Sequence, residues 1–568
     1  MTDRLIRMWI ITIFMPHILR KKVKGKYYLY LVKSARVNGK SKKIWQKYLG
    51  PEDDIQNAIS FSTIKDIQCE TLSFGIEAAL LDIAQKIRLA SIIDKHVSKK
   101  RDQGLSVGEY IMLAAINRCA SPCSKDALGP WFKTTFLPNM FPVDASVLNS
   151  QTYWNHFEYF DATIIEAIET ELTEKVLKDF DISLETVLYD PTNFYTFIED
   201  HDENEMPHNG HSKEHRSDLN LISVSLFCTR DFGIPIKHDT YAGNEPDVTH
   251  FKGVIAPFVE RMKRFHHDIK DITLVFDKGN LSPAAFHDIK DLAVQFVASL
   301  RPSTQKDLID LSLLLFTPLA LHPTGKKIWY HAVKRMIYDV ERDVYVVFDP
   351  KHYKKCKQQL ITRATSTMKE VNAYFKDKLN SNKWREQANV EKKIRALLGK
   401  SLHGTIVKET VTGEYGALSI AMTLDKAEVS HAAQESSISL LFTTRDDWDA
   451  ETVIRTYREQ HVIENTFKQL KSPQHVAIRP IFHHVDNSIR VHVFTCVLAL
   501  LLLALTRLRL YQANVQIAYP ELLKILKHIN ITRMQIPASK KHHDALNKLD
   551  STEARIVSAL KLNAWIKN

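Results

Sequence analysis

The sequence predicts an α/β protein in which a basic β-hairpin module and a helical segment precede a larger domain of strands and helices. Three observations support this prediction. An Asn-Gly pair separates two strand-like runs near the start, and apolar residues then recur at three- and four-residue spacing to about residue 180. Short runs rich in β-branched and aromatic residues follow. We therefore expect a mixed architecture with more than one structural unit.

Length and charge restrict the possible functions. At 568 residues the chain is too long to form a single compact core, and a typical domain size suggests roughly three or four units. Its 77 basic and 66 acidic residues give a formal charge of +11, which suits a polyanion or an acidic membrane surface. Nucleic acid is the simpler partner. Positive charge is concentrated in residues 1–50 and 351–400, each of which is either a nucleic-acid face or an ordinary solvated surface.

The sequence predicts neither a disulfide framework nor a membrane span. Six cysteines are scattered, and Cys119 and Cys123 lack a second pair that would complete a zinc site. We expect reduced, intracellular thiols. The apolar runs 8–15 and 491–505 are shorter than the ~20 residues of a membrane helix. The second run is therefore expected to be a buried core helix.

The first two predicted elements are a β-hairpin module over residues 1–70 and a helical segment over 71–180. In the module, YYLYLVKSARVNGKSKKIWQKYLG contains two strand-like runs around Asn38-Gly39, a strong turn signal. In the helical segment, IEAALLDIAQKI, VGEYIMLAAINRCA and ATIIEAIETELTEKVLKDF follow helical periodicity. The segment contains no evident catalytic group, and we interpret it as a DNA-binding element.

The larger domain is predicted in two parts, residues 181–300 and 436–515. Its first part contains LETVLYD, LNLISVSLFC and ITLVFD, and its second part begins with SISLLFTT. Between them, residues 301–435 are lysine-rich and contain the strand-like pieces KIWYHAV and DVYVVFD and the helical piece NVEKKIRALLGK. Residues 516–568 are predicted to form a C-terminal helical region.

Two aspartates stand at the ends of buried-looking strands. Asp190 ends VLYD before a proline, and Asp277 ends ITLVFD before Lys278-Gly279. Each is also compatible with a simple turn-forming role. Two carboxylates at adjacent strand ends repel each other unless a cation compensates them, so such a pair is a natural divalent-metal site.

A third acid lies in a long helix predicted from DDWDAETVIRTYREQHVIENTFKQLKS, which Asp446 and Asp447 are suited to begin. Helical geometry places four polar side chains of this helix within an arc of about 60°. They are Tyr457, Gln460, Glu464 and Lys471. A solvated amphipathic helix would show the same mixture of residues.

Together these segments resemble the DDE insertion-sequence transposases of the group with a Tyr-x2-Arg-x3-Glu-x6-Lys signature (YREK). Tyr457, Glu464 and Lys471 match that spacing, whereas Gln460 stands where the group has Arg. A neutral amide lacks the charge and the bidentate fork of arginine. GHSKEHRSDLNLISVSL, DFGIPI and YAGNEPDVTHF occur in the order that such transposases show, and the resemblance extends from about residue 25 to 510.

The resemblance implies a ribonuclease H-like catalytic domain, interrupted over residues 301–435 by a β-strand-rich insertion. It also implies that Asp190, Asp277 and Glu464 hold two Mg²⁺ ions, for which Mn²⁺ can substitute, with Asp190 as the bridging ligand. The implied reaction is cut-and-paste transposition, in which DNA is cleaved at the transposon ends and joined to target DNA.

The same resemblance implies contacts with double-stranded DNA, at terminal inverted repeats and at the target. The expected contact residues are Tyr457, Gln460, Lys471, Arg458 and Lys468, of which the last two are otherwise ordinary surface charges. A homodimer is expected because two ends must be brought together, and the expected location is the bacterial cytoplasm, at the nucleoid when DNA is bound. Two alternatives remain open: a nuclease of the same fold without joining activity, and a repurposed DNA-binding protein.

Overall fold

The computed structural model describes residues 16–37, 40–56, 68–97, 104–199, 205–265, 268–280, 282–321, 325–399, 401–535 and 542–566. The chain forms two compact units. Unit 1 contains Met1–Gly75 and His528–Asn568, and unit 2 contains Ile76–Lys527. The predicted Asn38-Gly39 turn and the apolar run 8–15 lie outside the described residues.

In chain order, the strands are β1 (His17–Val23), β2 (Lys26–Val37), β3 (Lys40–Pro51), β4 (Gln68–Ser73), β5 (Thr186–Thr196), β6 (Asn220–Thr229), β7 (Pro235–Ala242), β8 (Thr273–Phe276), β9 (Gln295–Leu300), β10 (Thr317–Leu321), β11 (Lys326–Ile337), β12 (Val340–Phe348), β13 (Val407–Thr412), β14 (Ser419–Leu424), β15 (Ile438–Thr443), β16 (Asn530–Gln535) and β17 (His542–Leu546).

The helices are α1 (Gly75–Lys86), α2 (Leu89–His96), α3 (Val107–Ala120), α4 (Leu128–Lys133), α5 (Ser150–Phe157), α6 (Ala162–Phe180), α7 (Asp247–Arg264), α8 (Pro283–Asp291), α9 (Lys306–Ile309), α10 (Pro350–Phe375), α11 (Gln387–Leu398), α12 (Leu402–Thr405), α13 (Lys426–Glu435), α14 (Ala450–Arg458), α15 (His461–Lys471), α16 (Asp486–Gln512), α17 (Tyr519–His528) and α18 (Ser551–Leu560). Short 3₁₀ turns connect several of them.

Unit 1 contains two three-stranded antiparallel sheets. The first has the order β1-β2-β3, and the predicted pairing of the hairpin strands is confirmed, with Val37 opposite Lys40. The second has the order β17-β16-β4, so segments from both ends of the chain pair in one sheet. The region 516–568 therefore contains two strands besides its helices. Periodicity missed them because NITRMQ and HHDAL are mainly polar and contain no sustained alternation of apolar and polar residues.

The helical segment of unit 2 contains α1 to α6, as the spacing of apolar residues predicts. Among the described residues, one helix is long and apolar enough to cross a membrane, and this is α16. However, 94% of its most hydrophobic window is buried inside the protein. A helix that is apolar on all sides is typical of a protein core, so the prediction of a buried helix over 491–505 is confirmed.

Unit 2 is built around a nine-stranded sheet with the order β10-β11-β12-β15-β9-β8-β5-β6-β7. Strands β5, β8 and β9 run parallel, and their other neighbours are antiparallel. The fold is thus a mixed α/β architecture, as predicted. One face of the central strands packs on α7 and α8 through a large apolar core that includes Tyr189, Phe276 and Phe296. The opposite face is covered by α14 and α15.

The stretch 301–435 differs from the strand-rich segment that the sequence predicts. Its strands β10, β11 and β12 extend the large sheet, but the rest is mainly helical, with the single hairpin β13-β14. Buried Ala364, Val371 and Phe375 of α10 are spaced by seven and four residues, which places them on one helical face. They contribute to a separate apolar core with α11 and α13. The polar composition of α10 concealed this stripe.

Candidate active site

Asp190 and Asp277 lie in one row across the parallel strands. Leu188 of β5 is opposite Val275 of β8, so continuing the register by two residues brings Asp190 level with Asp277. Val187 and Tyr189 face the apolar core. Because side chains alternate along a strand, Asp190 points to the other face, toward α15. The same alternation places Asp277 on that face.

The prediction that Asp190 ends its strand was wrong. Strand β5 continues to Thr196, and Asp190 is paired with Leu226 of β6 inside it. The strand accommodates Pro191 because pairing with β8 stops at Leu188, so no ladder on that edge requires the missing N–H. Asp277 does follow the last residue of β8, as predicted, and precedes a short 3₁₀ turn.

The carboxylate of Asp277 is held by two hydroxyl groups. Ser299 Oγ of β9 donates a hydrogen bond to Oδ1 at 3.0 Å, and Tyr457 OH of α14 donates to the same oxygen at 2.9 Å. Ser299 lies in the register position next to Asp277, because Val275 is opposite Val297. Burial and the nearby charge of Asp277 raise the pKa of Tyr457, so this tyrosine remains a hydrogen-bond donor.

Glu464 lies on α15, which the sequence predicts as part of one long helix. The structure instead has two helices, because hydrogen bonds from Gln460 N to Tyr457 O and from Val462 N to Glu459 O tighten the turn between them. The cap of α14 is Asp449, whose side chain accepts from Thr452 N, rather than Asp446 or Asp447. The arc of about 60° was calculated for one continuous helix, so it does not apply to these four side chains.

A cavity of about 440 Å³ nevertheless brings three of the four signature positions together with an aspartate. Its lining includes Tyr457, Gln460, Glu464 and Asp277. Lys471 is not part of this lining. The turn between α14 and α15 thus directs Tyr457, Gln460 and Glu464 to one concave surface at the strand ends.

Electrostatics couple Asp190 to the other acids. Burial, together with the negative charges of Asp277, Asp247 and Glu464, raises its pKa to about 7, although Lys213 opposes the shift. Lys213 Nζ donates to Pro191 O at 2.7 Å and pairs with Asp247 at 3.1 Å. Sequence reasoning assigned no role to Lys213 or Asp247. Their positions could have indicated a role, because Lys213 lies in GHSKEHRSDLN and Asp247 in YAGNEPDVTHF. Both segments contributed to the family resemblance.

Two glycines allow the loops that carry Lys213 and Asp247 to approach each other. A Cβ atom on Gly210 would collide with the carbonyl oxygen of Gly243, and one on Gly243 would collide with that of Leu221. Backbone contact at this distance is possible only without side chains. Close backbone packing therefore explains why glycine occupies these two positions.

The remaining predicted DNA contacts are paired or exposed. Lys471 Nζ lies 3.3 Å from Glu214, and Arg458 donates to Asp349 at 2.9 Å. Lys468 is exposed and donates to Asn465 at 3.1 Å. Lys468 lines a separate cavity of about 950 Å³ on the other side of α15. The structure thus does not bring all five predicted contact residues to one surface.

The donor set at this site suits a divalent cation. Asp190, Asp277 and Glu464 supply only carboxylate oxygens, the donors that hard cations prefer. Their mutual repulsion, visible in the raised pKa of Asp190, is the effect that a bound cation would relieve. Among the described residues, no three His, Cys, Asp or Glu side chains are grouped closely enough to hold a metal as they stand.

Replacing Tyr457 by Phe should lower the rate of the reaction that the sequence resemblance implies, DNA cleavage, by about tenfold without unfolding the protein. The change removes one hydrogen bond to Asp277, and such a bond to a charged group contributes about 1.5–3 kcal/mol. Single-turnover cleavage under saturating metal measures the effect. Tyr415→Phe, at an exposed position, is the control and should match the wild type. An unchanged rate for Tyr457→Phe would show that the tyrosine does not position Asp277.

Asp190→Asn should stabilise the metal-free protein increasingly as pH rises from about 4 to about 7. The folded-state pKa of Asp190 is raised from its ordinary 3.8 to about 7, so its stabilising contribution is complete below pH 4 and is lost as pH rises through 7. Thermal unfolding in EDTA, at intervals over this range, measures the difference between variant and wild type. Exposed Asp291→Asn should show no such trend. A constant difference for Asp190→Asn would contradict the proposed repulsion.

Comparison with known proteins identifies the family. Residues 183–502 match the family model described as a transposase DDE domain. No curated protein matches the sequence. Among solved structures, a piggyBac transposase in a synaptic complex with hairpin DNA is similar with a TM-score of 0.37 and 8% identity, over 81% of this chain and 82% of that chain. Because the family model covers more than half of the 568 residues, the chain belongs to the transposase DDE domain family and is a DNA transposase.

Proposed function

We propose that this transposase moves an insertion sequence by cut-and-paste transposition, and that Asp190, Asp277 and Glu464 form its catalytic triad. The observation that carries the proposal is the row formed by Asp190 and Asp277 across β5 and β8, on the face covered by the helix of Glu464. A strongly raised pKa within a cluster of carboxylates is typical of a functional site.

The catalytic domain is proposed to be ribonuclease H-like. In support, β7, β6 and β5 are antiparallel and β8 and β9 run parallel to β5, while Asp190 lies in β5 and Asp277 directly follows β8. We infer that residues 181–300 and 436–515 form this domain and that 301–435 is the insertion. The Tyr457, Glu464 and Lys471 spacing supports the bacterial YREK group, with Gln460 as the departure from it.

The proposed metal ligands are Asp190, Asp277 and Glu464, which would hold the cations through their carboxylate oxygens. When bound, two Mg²⁺ ions, or Mn²⁺ in their place, would activate the attacking oxygen and stabilise the leaving one. The protein's part is to hold the ligands: Ser299 and Tyr457 orient Asp277, and Lys213 balances part of the negative charge near Asp190. Water attack on phosphorus breaks the P–O3′ bond, and the freed 3′ hydroxyl attacks in the joining step.

The proposed contacts with double-stranded DNA are Tyr457, Gln460, Arg458, Lys468 and Lys471. Tyr457 and Gln460 already face the cavity beside Asp277. Arg458 and Lys471 would exchange their partners Asp349 and Glu214 for phosphates. The exposed, lysine-rich strands of unit 1 and the helical segment 71–180 are proposed as further DNA contacts, in a homodimer that acts in the bacterial cytoplasm at the nucleoid.

The test uses the full-length protein, Mg²⁺ and a DNA fragment with the inverted repeats that flank its own gene. We expect cuts confined to the repeat boundaries, loss of cutting in EDTA, and joining of the cut ends to a target plasmid. A fragment with scrambled repeats is the matched control. Cutting that ignores the repeats would favour a nuclease without joining activity, and specific binding without any cutting would favour a repurposed DNA-binding protein.

A further inference from the structure

A third cavity in unit 2 lies outside the proposed catalytic site. It has a volume of about 540 Å³, within the range of about 300–1,000 Å³ typical of ligand sites. Residues of the helical segment form one wall, and the loop after α15 and the buried helix α16 form the rest. None of its lining residues belongs to the proposed catalytic triad, so its role can be tested independently of transposition.

Two buried cations line this cavity, and neither is paired with a carboxylate in the part of the chain that the structure describes. The side chains of Arg118, on α3, and Lys125, in the following turn, belong to residues only 4% and 8% exposed. Arg118 donates through Nη1 to Ala477 O at 3.0 Å and through Nη2 to Cys123 O, but its Nε has no acceptor. Among the described residues, no acidic side chain forms an ion pair with Arg118 or Lys125.

Among the described residues, no acceptor forms a hydrogen bond with Lys125 Nζ, which lies near two aromatic rings. Its Nζ lies 5.4 Å from the ring centroid of Tyr153 and 5.8 Å from that of Phe157. Among the described residues that line the cavity, the one acid is Asp126, which accepts a hydrogen bond from Ser150 N instead. Burial and the charge of Arg118 lower the pKa of Lys125 to about 7. A buried cation without a counter-ion is costly, and an anion bound in this cavity would offset that cost.

Aromatic side chains flank the same cavity. Trp154 of α5 and Phe482 of the loop both line it and are 49% and 62% exposed. Exposed aromatic faces near cationic donors are typical of sites where nucleobases stack. Inorganic anions would use the cations but leave these apolar faces uncovered.

We propose that this cavity binds a nucleotide, with the phosphate at Arg118 and Lys125 and the base against Trp154 and Phe482. Free nucleotides and the end of a DNA strand share this chemistry. Arg479, which also lines the cavity, lies 4.0 Å from the ring centroid of Tyr195 on β5. Tyr195 is five residues beyond Asp190, or about 16 Å along the same strand, so the cavity lies beside the far end of the strand that carries this aspartate.

The test is calorimetric titration of the full-length protein in EDTA with three probes: inorganic phosphate, dAMP and a 5′-phosphorylated trinucleotide. We expect dAMP to bind more tightly than phosphate. Lys125→Met, which removes the charge but keeps the length of the side chain, should weaken binding of all three probes at least tenfold. Trp154→Ala should weaken the binding of dAMP but not of phosphate. The matched control is Lys133→Met at an exposed position of α4, which should bind like the wild type.

Comparing the trinucleotide with dAMP distinguishes the end of a DNA strand from a free nucleotide as the ligand. Tighter binding of the trinucleotide than of dAMP would identify a DNA strand end, and equal binding would identify a free nucleotide. Thermal unfolding of ligand-free Lys125→Met guards against misfolding, because removing an uncompensated buried charge should leave the midpoint unchanged or raise it. Absence of saturable binding of any probe by the wild type, or equal affinities of wild type and Lys125→Met, would overturn the proposal.

Discussion

Replacing Asp277 by Asn should lower the rate of DNA cleavage at the transposon ends by at least about 10³-fold, equivalent to about 4 kcal/mol of transition-state stabilisation. The substitution keeps the size of the side chain, and the amide oxygen can still accept from Ser299 and Tyr457. It removes the negative charge that a divalent cation requires. Single-turnover cleavage with saturating protein and Mg²⁺ measures the loss.

The matched control for this variant is Asp291→Asn, which makes the same change in charge at an exposed position of α8. It should cleave at the wild-type rate. Both variants should bind the repeat DNA with similar affinity, because Asp277 would act on the reacting phosphate and not on recognition. A rate for Asp277→Asn within about threefold of the wild type would remove Asp277 from the catalytic site.

Arg261→Met should destabilise the protein by about 3–5 kcal/mol, the cost of breaking a buried ion network. Arg261 of α7 is only 2% exposed. It donates to Ile236 O at 2.8 Å and lies 2.5 Å from Glu166 of α6. Lys237 of β7 binds the same glutamate at 2.7 Å. The network therefore ties two helices to the edge strand β7, and removing the guanidinium leaves buried groups without partners.

Urea-induced unfolding of unit 2, followed by tryptophan fluorescence, measures the effect. Lys263→Met on the same helix is the matched control, because Lys263 is exposed and its pair with Glu260 is on the surface. Such a pair contributes less than about 1 kcal/mol. Equal unfolding midpoints for the two variants would contradict the proposed role of the Arg261 network.

The Arg261 network also has a predicted pH dependence. Although partial burial opposes it, the charges of Arg261 and Lys237 hold the pKa of Glu166 at about 2. Because this pKa is depressed, the stabilising contribution of Glu166 is complete above its ordinary value near 4.5 and is lost as pH falls toward 2. The difference in stability between the wild type and Arg261→Met should therefore narrow over this acid range.

Local patterns in the sequence were sufficient where the determining contacts lie within one segment. The run Val491–Leu505 is apolar on all sides, so its burial as part of α16 followed from composition alone. Strands β2 and β3 pair across a short connection, and Asn38-Gly39 predicted that pairing. Strand-like runs ending in acids also selected Asp190 and Asp277 as candidates, and family resemblance added Glu464.

Tertiary structure alone decided which of these residues meet. The row of Asp190 and Asp277 depends on the register of strands that are 86 residues apart in the chain, and no local window contains that register. A tight turn separates α14 from α15, so Tyr457 and Glu464 lie on different helices, and Lys471 pairs with Glu214. Periodicity describes continuous helices, so it could not predict this turn.

By itself, the sequence determined the class of fold, the basic character that suits DNA, and three candidate acids, because amphipathic periodicity and net charge are properties of short segments and of composition. Only the tertiary structure decided the hydroxyl groups that hold Asp277, the network around Arg261 and the cavity that contains Arg118 and Lys125. Each depends on side chains brought together from distant segments. The physical reason is that burial, and with it the cost of an unpaired charge, arises only when the chain has folded.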